Sequence, residues 1–210
     1  MENQTSRGIP KASEVDPIKN TKDIDKVKQY LLGKKNKRDY LLFVMGINVG
    51  LRAGDLLSLK ICDVANIINN TAKVKDSVTI YEEKTGKKRE FNINNSAKKS
   101  IELYLNSLDE FSEQDFLFQS ERKGNTHLRV DSTHKIIKSI MRDLGIQGNF
   151  GTHTLRKTFA YHVYINGVKE DPGILEKLQK ILNHSSPSVT LKYIGITKDV
   201  IANVYNKLNL

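Results

Sequence analysis

Four short stretches carry the side chains best suited to chemistry: Arg52 in "GLRAGDLLSLKICDV", Lys84 in "EEKTGKKREF", His153 and Arg156 in "THTLRKTFA", and His184 with Tyr193 in "LNHSSPSVTLKYIG". Arginine stays charged, and its planar fork matches the oxygens of an oxyanion such as phosphate with two parallel hydrogen bonds. Imidazole titrates near neutrality and can move protons. A phenol attacks only after losing its proton; with a pKa of about 10, roughly one in a thousand is phenolate at pH 7, a deficit of about 4 kcal/mol. Together these groups can grip an anion, shift protons and attack, provided the fold brings them to one place.

Each has an ordinary structural reading as well. Tyr193 is one of eight tyrosines and lies where an amphipathic helix would bury an aromatic. His153 and Arg156, three residues apart, share a helical face whatever they do. His184 follows the helical pattern "ILEKLQKIL" and suits the negative end of its dipole. Lys84 sits beside Lys87, Lys88 and Arg89 as in a solvated turn. What sets the six apart is their conjunction in one order, each inside its own local pattern.

Other chemistries are excluded by type and spacing. Cys62 is the only cysteine, so neither an internal disulfide nor a cysteine-based zinc site is expected. His127, His134, His153, His162 and His184 form no close i, i+4 ligand pair and no HExxH, so no metal and no cofactor are expected. "KTGKKREF" lacks the glycine-rich lead-in of a P-loop. The chain holds 34 Lys and Arg against 24 Asp and Glu, a formal +10, which favours a polyanionic partner. Its polar N-terminus has no apolar signal region, and its longest apolar run, "YLLFVMGINVGL", is too short to cross a bilayer. A cytoplasmic protein with no membrane contact is expected.

The elements that must position these groups are mostly helical. Residues 1–20 read as a flexible leader, and order is expected from Asn20 or Thr21. "TKDIDKVKQYLL" places Ile24, Val27, Leu31 and Leu32 on one helical face, and "DYLLFVMGINVG" is apolar nearly all round, a buried helix ending near Gly50. "RAGDLLSLKICDV" adds another amphipathic turn or two. Residues 72–93 change texture to β-branched and aromatic runs about a Lys-Thr-Gly-Lys turn, a hairpin signal. Helical periodicity returns in "NSAKKSIELYLNSL", in "VDSTHKIIKSIMRDLG" with Asp131 placed to cap, and in four closing segments, "LRKTFAYHVYING", "ILEKLQKILNH", "PSVTLKYIG" and "DVIANVYNKL". The expected class is mainly α with a small antiparallel β-sheet (α+β), one domain over 21–210.

In this order the four stretches resemble the tyrosine recombinase (phage integrase) family, over roughly Lys22 to the C-terminus. The family's Gly-Leu-Arg turn followed by an acidic residue, a Leu-rich helix and Asp-Val stands as Gly50-Leu51-Arg52 through Asp63-Val64. Its hairpin lysine falls on Lys84, its His-x-x-Arg box on His153 and Arg156, and its closing Leu-x-His to Tyr segment on Leu182, His184 and Tyr193. The resemblance implies the family's catalytic-domain fold and a DNA strand transferase. Arg52 and Arg156 would clamp the non-bridging oxygens of a scissile phosphate, where negative charge builds in the transition state. His153 would act as base and Lys84 as acid for the leaving 5′ oxygen. His184 would donate to the phosphate, and Tyr193 would hold a 3′-phosphotyrosyl intermediate, with neither ATP nor a metal implied. Lys87, Arg89, Lys157 and Lys192, near these motifs, are candidate contacts to the DNA backbone.

Family members typically carry an N-terminal domain that closes a clamp on DNA. Here about twenty residues precede the catalytic stretch, so the expectation is either a fragment of a longer protein or a minimal catalytic-domain member that binds DNA weakly alone or relies on a partner. Asp55 stands where the family usually has Glu. The last helical segment, about 197–208, has apolar Val200, Ile201, Val204 and Leu208 and resembles the tail helix that members dock on a neighbour, which implies self-assembly on double-stranded DNA; packing on its own chain is the alternative. Besides site-specific recombination or integration, two other activities fit: a type IB topoisomerase-like relaxation of supercoils, and a DNA-binding module whose chemistry is dormant.

Overall fold

The apolar stretch around residues 41–45 forms the hub. In the computed structural model, which describes residues 14–34, 36–68, 71–121, 124–196 and 205–206, helix α1 (Thr21–Gly33) leads into α2 (Lys37–Val49). Leu41, Leu42, Phe43, Val44 and Met45 of α2 are buried in succession, the signature of a helix enclosed on every side. The Asn20 side chain accepts from the Lys22 N–H, and that of Asn36 from the Arg38 N–H, each at 3.0 Å, so both helices begin on an asparagine cap. Gly50 ends α2 in the left-handed region at φ 59°, where only glycine is unstrained. Ile24, Val27 and Leu31 of α1 point inward as expected, but Leu32 is 40% exposed, since it lies one position past the apolar stripe.

Short helices α3 (Ala53–Leu57) and α4 (Ile61–Val64) follow, then strands β1 (Ala65–Ile68), β2 (Thr71–Val74), β3 (Ser77–Tyr81) and β4 (Lys88–Asn92). The expected β region is therefore two antiparallel two-stranded sheets, β1 with β2 and β3 with β4. "ANII", too short to show an alternation, is the strand that sequence periodicity missed. In the second sheet Val78 faces Phe91 and Ile80 faces Arg89 across the ladder, one inward row that Glu82 continues just past the strand end.

Helices α5 (Asn95–Leu105), α6 (Val130–Asp143), α7 (Thr152–Gly167), α8 (Ile174–Leu182) and α9 (Pro187–Tyr193) complete the described chain. Asp131 does not cap α6. Arg129 holds the cap position without a side-chain bond, and Asp131 lies in the first turn, where it opposes the positive helix end. The α2 helix packs against α1, α5 and α7. The main core thus gathers around α2, and a second apolar cluster of Ala160, Leu178, Leu182, Ile194 and Ile196 joins α7, α8 and α9.

The leader starts to pack earlier than its composition suggests. Pro17 and Ile18 are buried, the Ile18 N–H donates to Thr158 Oγ1 at 2.9 Å, and Asp16 and Asn149 bond reciprocally at 2.7 and 2.9 Å. His162 Nε2 sits 2.9 Å from the Ile18 carbonyl. Residues 14–18 are thereby fastened along α7, because a single buried isoleucine and matched backbone groups suffice where a helical pattern is absent. The tail segment 197–208 lies outside the described residues apart from 205–206.

Candidate active site

Two arginines from opposite ends of the chain meet at one turn. Arg156, in the second turn of α7, donates from Nη1 to the Gly50 carbonyl at 2.9 Å and from Nη2 to the Leu182 carbonyl at 2.8 Å. It therefore ties the turn that carries Arg52 to the end of α8, two residues before His184. Burial lowers the Arg156 pKa to about 10, which still leaves it charged at neutral pH.

Arg52 is the first residue past Gly50-Leu51 and caps α3. Its Nη1 lies 2.6 Å from Glu82 Oε2 and 4.0 Å from Asp55 Oδ2. The contact with Glu82 is a short ion pair, and Asp55 Oδ2 has no hydrogen-bond partner among the described residues. The Asp55 carboxylate uses its other oxygen to accept from the Glu83 N–H at 2.9 Å, docking the β3–β4 turn beside the Arg52 turn.

His184 sits in the link between α8 and α9. Asn183 turns the chain at φ 52°; the His184 N–H donates to the Gln179 carbonyl, and Gln179 Nε2 donates back to the His184 carbonyl, both at 3.1 Å. Helix α9 then starts on Ser186, whose hydroxyl accepts from the Val189 N–H, with Pro187 in the first turn. His184 Nδ1 lies 3.1 Å from the buried Thr190 Oγ1. Its ring meets that of Tyr193 edge-on, centroids 5.0 Å apart. Of the apolar positions in this stretch, Leu182 and Ile194 are fully buried, Leu191 is partly so, and Val189 is 42% exposed.

The Tyr193 hydroxyl is buried, and among the described residues it has no well-aligned hydrogen-bond partner. Burial raises its pKa above the usual value, the charges of Arg156 and Arg52 act the other way, and Glu14 adds to the rise. His153 is exposed at the start of α7, yet desolvation of its ring and the Arg156 and Lys157 charges hold its pKa below the ordinary value. Desolvation and the charges of Arg156 and Arg52 do the same for His184. His153 and Arg156 also line a small void against Leu51 and Ala53 at the Arg52 turn. Five of the six candidates, Arg52, His153, Arg156, His184 and Tyr193, thus share one electrostatic neighbourhood. The sixth, Lys84, is exposed on the β3–β4 turn and is connected to the cluster only through its neighbours Glu82 and Glu83.

The four candidate backbone contacts divide. Lys87 and Lys192 are exposed, and Lys87 lines a cleft of about 770 Å³ together with Lys88, Arg89 and Lys180. Arg89 is not a free cation: it lies on the inward row of β4, donates to the Gly50 carbonyl at 3.0 Å, and contacts Glu82 at 3.4 Å. Burial lowers its pKa. Lys157 is only 4% exposed, its Nζ 2.6 Å from Glu14 Oε1 and 5.0 Å from the Tyr193 ring centroid. Arg89 and Lys157, expected at the surface as contacts to the DNA backbone, thus hold internal positions, since position 157 of α7 and position 89 of β4 face the interior.

Glu82, Thr190 and Glu14 escaped the sequence reading. Glu82 had a signal: it continues the inward row Val78-Ile80, so a carboxylate stands on an apolar register. Glu14 had none, because no local pattern ties it to a residue 143 positions on. Among the described residues no group of three His, Cys, Asp or Glu is placed to hold a metal ion, and no helix is long and apolar enough to cross a membrane.

Comparison with known proteins agrees with this geometry. The profile of the phage integrase family matches residues 19–199. The "Probable integrase/recombinase YoeC" of Bacillus subtilis is 42% identical over 191 residues, 91% of this chain and 95% of its own. A "Tyrosine recombinase" of Pseudothermotoga lettingae is 29% identical over 174 residues, 83% of this chain and 55% of its own. The chain therefore spans nearly all of the first relative and about half of the second. Among solved structures, the XerA recombinase superimposes with a TM-score of 0.68 at 23% identity, covering 98% of this chain and 67% of that one. XerH bound to its palindromic difH substrate after cleavage gives 0.66 at 18% identity, covering 93% and 53%. The fold is that of the tyrosine recombinase catalytic domain.

Proposed function

The chain belongs to the phage integrase family, whose tyrosine recombinases cleave and rejoin DNA, and on that footing we propose that Tyr193 cuts one strand of double-stranded DNA at a specific site. The phenolate oxygen attacks the scissile phosphorus, a tyrosyl–phosphorus bond forms at the 3′ end, and the bond to the 5′ oxygen breaks. The reverse attack by a 5′ hydroxyl of the partner strand restores the backbone. Each transfer exchanges one phosphodiester for another, so neither ATP nor a metal is needed.

The observation that carries this reading is the position of Arg156. It bridges the Arg52 turn and the His184 link while its guanidinium acts on the buried Tyr193 hydroxyl and favours the phenolate. Arg52 and Arg156 stabilise the charge that gathers on the non-bridging oxygens. His153, held neutral at physiological pH, takes the tyrosine proton. Thr190 Oγ1 lies 3.1 Å from His184 Nδ1, closer than its 3.4 Å contact with the Ser186 carbonyl; in this reaction it donates its hydrogen bond to Nδ1, and the imidazole proton stays on Nε2 for the phosphate. Lys84 protonates the departing 5′ oxygen once the β3–β4 turn meets DNA. Exposed Lys87 and Lys192 contact the flanking backbone.

Relatives named integrase and recombinase favour strand exchange over supercoil relaxation alone. Self-assembly on DNA through segment 197–208, a clamp supplied by further chain or by a partner, and a cytoplasmic setting complete the proposal. It is tested with a nicked suicide substrate built from the ends of the protein's own element, in EDTA and without ATP. A covalent protein–DNA adduct that survives SDS and is lost in Tyr193→Phe supports it. An intact, DNA-binding protein that gives no adduct sinks it.

A further inference from the structure

Glu82 is a carboxylate that the proposed reaction leaves without a task. It is 2% exposed, and burying a carboxylate is costly unless it is paired. Its partners are Arg52 Nη1 at 2.6 Å, Thr85 Oγ1 at 2.7 Å and Arg89 Nη1 at 3.4 Å. Burial by itself would raise its pKa, but the guanidinium of Arg52, the Thr85 hydroxyl and Arg89 together hold it at about 2.

We propose that Glu82 is a positioning residue for DNA cleavage: its carboxylate holds the Arg52 guanidinium ready for the scissile phosphate and fixes the Lys84 turn against the same site. The inference rests on the assignment of Tyr193 as nucleophile and deepens it.

Three features support it. The first is that, among the described residues, Glu82 is the nearest anion to Arg52. Asp55 Oδ2 is 4.0 Å from Arg52 Nη1 and Glu82 Oε2 only 2.6 Å, so Glu82 is the nearer carboxylate fixing one end of a side chain with many rotamers. The ion pair occupies the buried Nη1 end and sets the side chain's position, while the exposed part of the guanidinium fork is left to meet phosphate oxygens.

The second is the turn. The Glu82 N–H donates to the Lys87 carbonyl at 3.0 Å, and its carbonyl accepts from Thr85 and Gly86 N–H groups at 3.3 and 2.8 Å. Lys84 lies inside that loop, two residues from Glu82. One residue thereby sets both the phosphate-binding cation and the turn carrying the proposed acid.

The third is charge. Arg52, Arg89 and Arg156 influence one another, and Arg52 and Arg89 each help lower Arg156. Two carboxylates, Glu82 and Asp55, stand against these three guanidiniums, which leaves a surplus of one positive charge for a phosphodiester. Replacing Glu82 by glutamine keeps the shape and raises that surplus, so DNA still binds while Arg52 loses its fixed direction.

The test is a double-mutant cycle on single-turnover cleavage of the nicked suicide substrate. Glu82→Gln is expected to slow adduct formation on the order of 100-fold with DNA affinity changed by less than about 3-fold, and Glu82→Asp to recover part of the rate. In an Arg52→Ala background the same change should cost less than about 3-fold, because residues acting as a unit are not additive. A Glu82→Gln protein that cleaves at the wild-type rate, or costs that multiply in the double variant, overturns the proposal. Should Glu82→Gln lack native near-UV dichroism, Glu82→Met, of similar length and without the charge, takes its place in the cycle with the same criteria. A second readout is independent of catalysis. In ¹⁵N-arginine-labelled, DNA-free protein the Arg52 side-chain signal should show hindered rotation, lost in Glu82→Gln and kept in Glu82→Asp. If wild type forms no adduct, the nucleophile assignment fails, while this signal still decides whether Glu82 holds Arg52; an unchanged signal in Glu82→Gln overturns the hold.

Discussion

Arg156 Nη1 donates to the Gly50 carbonyl at 2.9 Å, joining two residues 106 positions apart across the boundary between the two apolar clusters. Arg89 donates to the same oxygen, so the peptide that ends α2 is the node on which the site is hung. Gly50 is also the only residue type that fits there, because φ is 59° and a Cβ would run into the Phe159 ring. Gly50→Ala is expected to destabilise the fold by about 2–4 kcal/mol and to reduce adduct formation even at temperatures where it stays folded. Urea melts combined with the cleavage assay measure both effects.

In the proposed reaction Thr190 sets the tautomer of His184. Thr190→Val keeps the volume of a fully buried side chain but removes the hydroxyl 3.1 Å from Nδ1, so both neutral tautomers become available. Cleavage is expected to fall roughly 10-fold, with Thr190→Ser close to wild type. Equal losses in both variants would point to packing rather than the hydrogen bond.

Much of this was legible in advance, and the exceptions have physical causes. The periodicity of α1, α2 and α5 to α9 follows from apolar stripes of ten or so residues, and the six candidate site residues from four local patterns. The inward placement of Arg89, Lys157 and Glu82 was not legible, because a charged residue at an inward position looks, in sequence, like one at an outward position. Only alternation with Val78, Ile80 and Phe91 could have told that Glu82 and Arg89 face in. The packing of residues 14–18 on α7 is a long-range contact with no local period, which sequence patterns cannot carry.

The cleavage rate should fall in acid below the usual histidine range. Desolvation and the neighbouring Arg156 and Lys157 charges lower the pKa of His153 from 6.5, so a base with this pKa stays neutral at pH 6.5 and is lost only at lower pH. The acid limb of the single-turnover profile is therefore expected below pH 6.5 and should move up when Lys157 is replaced by Met, which removes one of the two charges. A limb that stays in place in that variant would exclude His153 as its source.

Glu14 acts on the nucleophile from the leader. Its carboxylate pairs with Lys157 at 2.6 Å and disfavours the Tyr193 phenolate, so its removal should lower the tyrosine pKa. Glu14→Gln is expected to shift the Tyr193 contribution to the ultraviolet titration, taken as the difference from the matching Tyr193→Phe protein, toward lower pH. A shift upward would mean that the freed Lys157 moves away from the ring and that its charge had been the larger influence.

Glu82 also predicts how the fold responds to acid, with a definite sign. Its carboxyl is held at about 2 in the folded protein against 4.5 when free. The unfolded chain therefore binds the extra proton first, and the pairing contributes its full stability above pH 4.5 and loses it as pH falls through that value toward 2. The difference sets an upper bound of about 3 kcal/mol, reduced in practice because the turn over the pair is itself exposed to solvent. Urea melts of wild type and Glu82→Gln should thus differ most at pH 7 and converge toward pH 3. A gap that stays constant over this range would show that the carboxylate is not held by Arg52 and Arg89, and that the loss in the variant comes from packing alone.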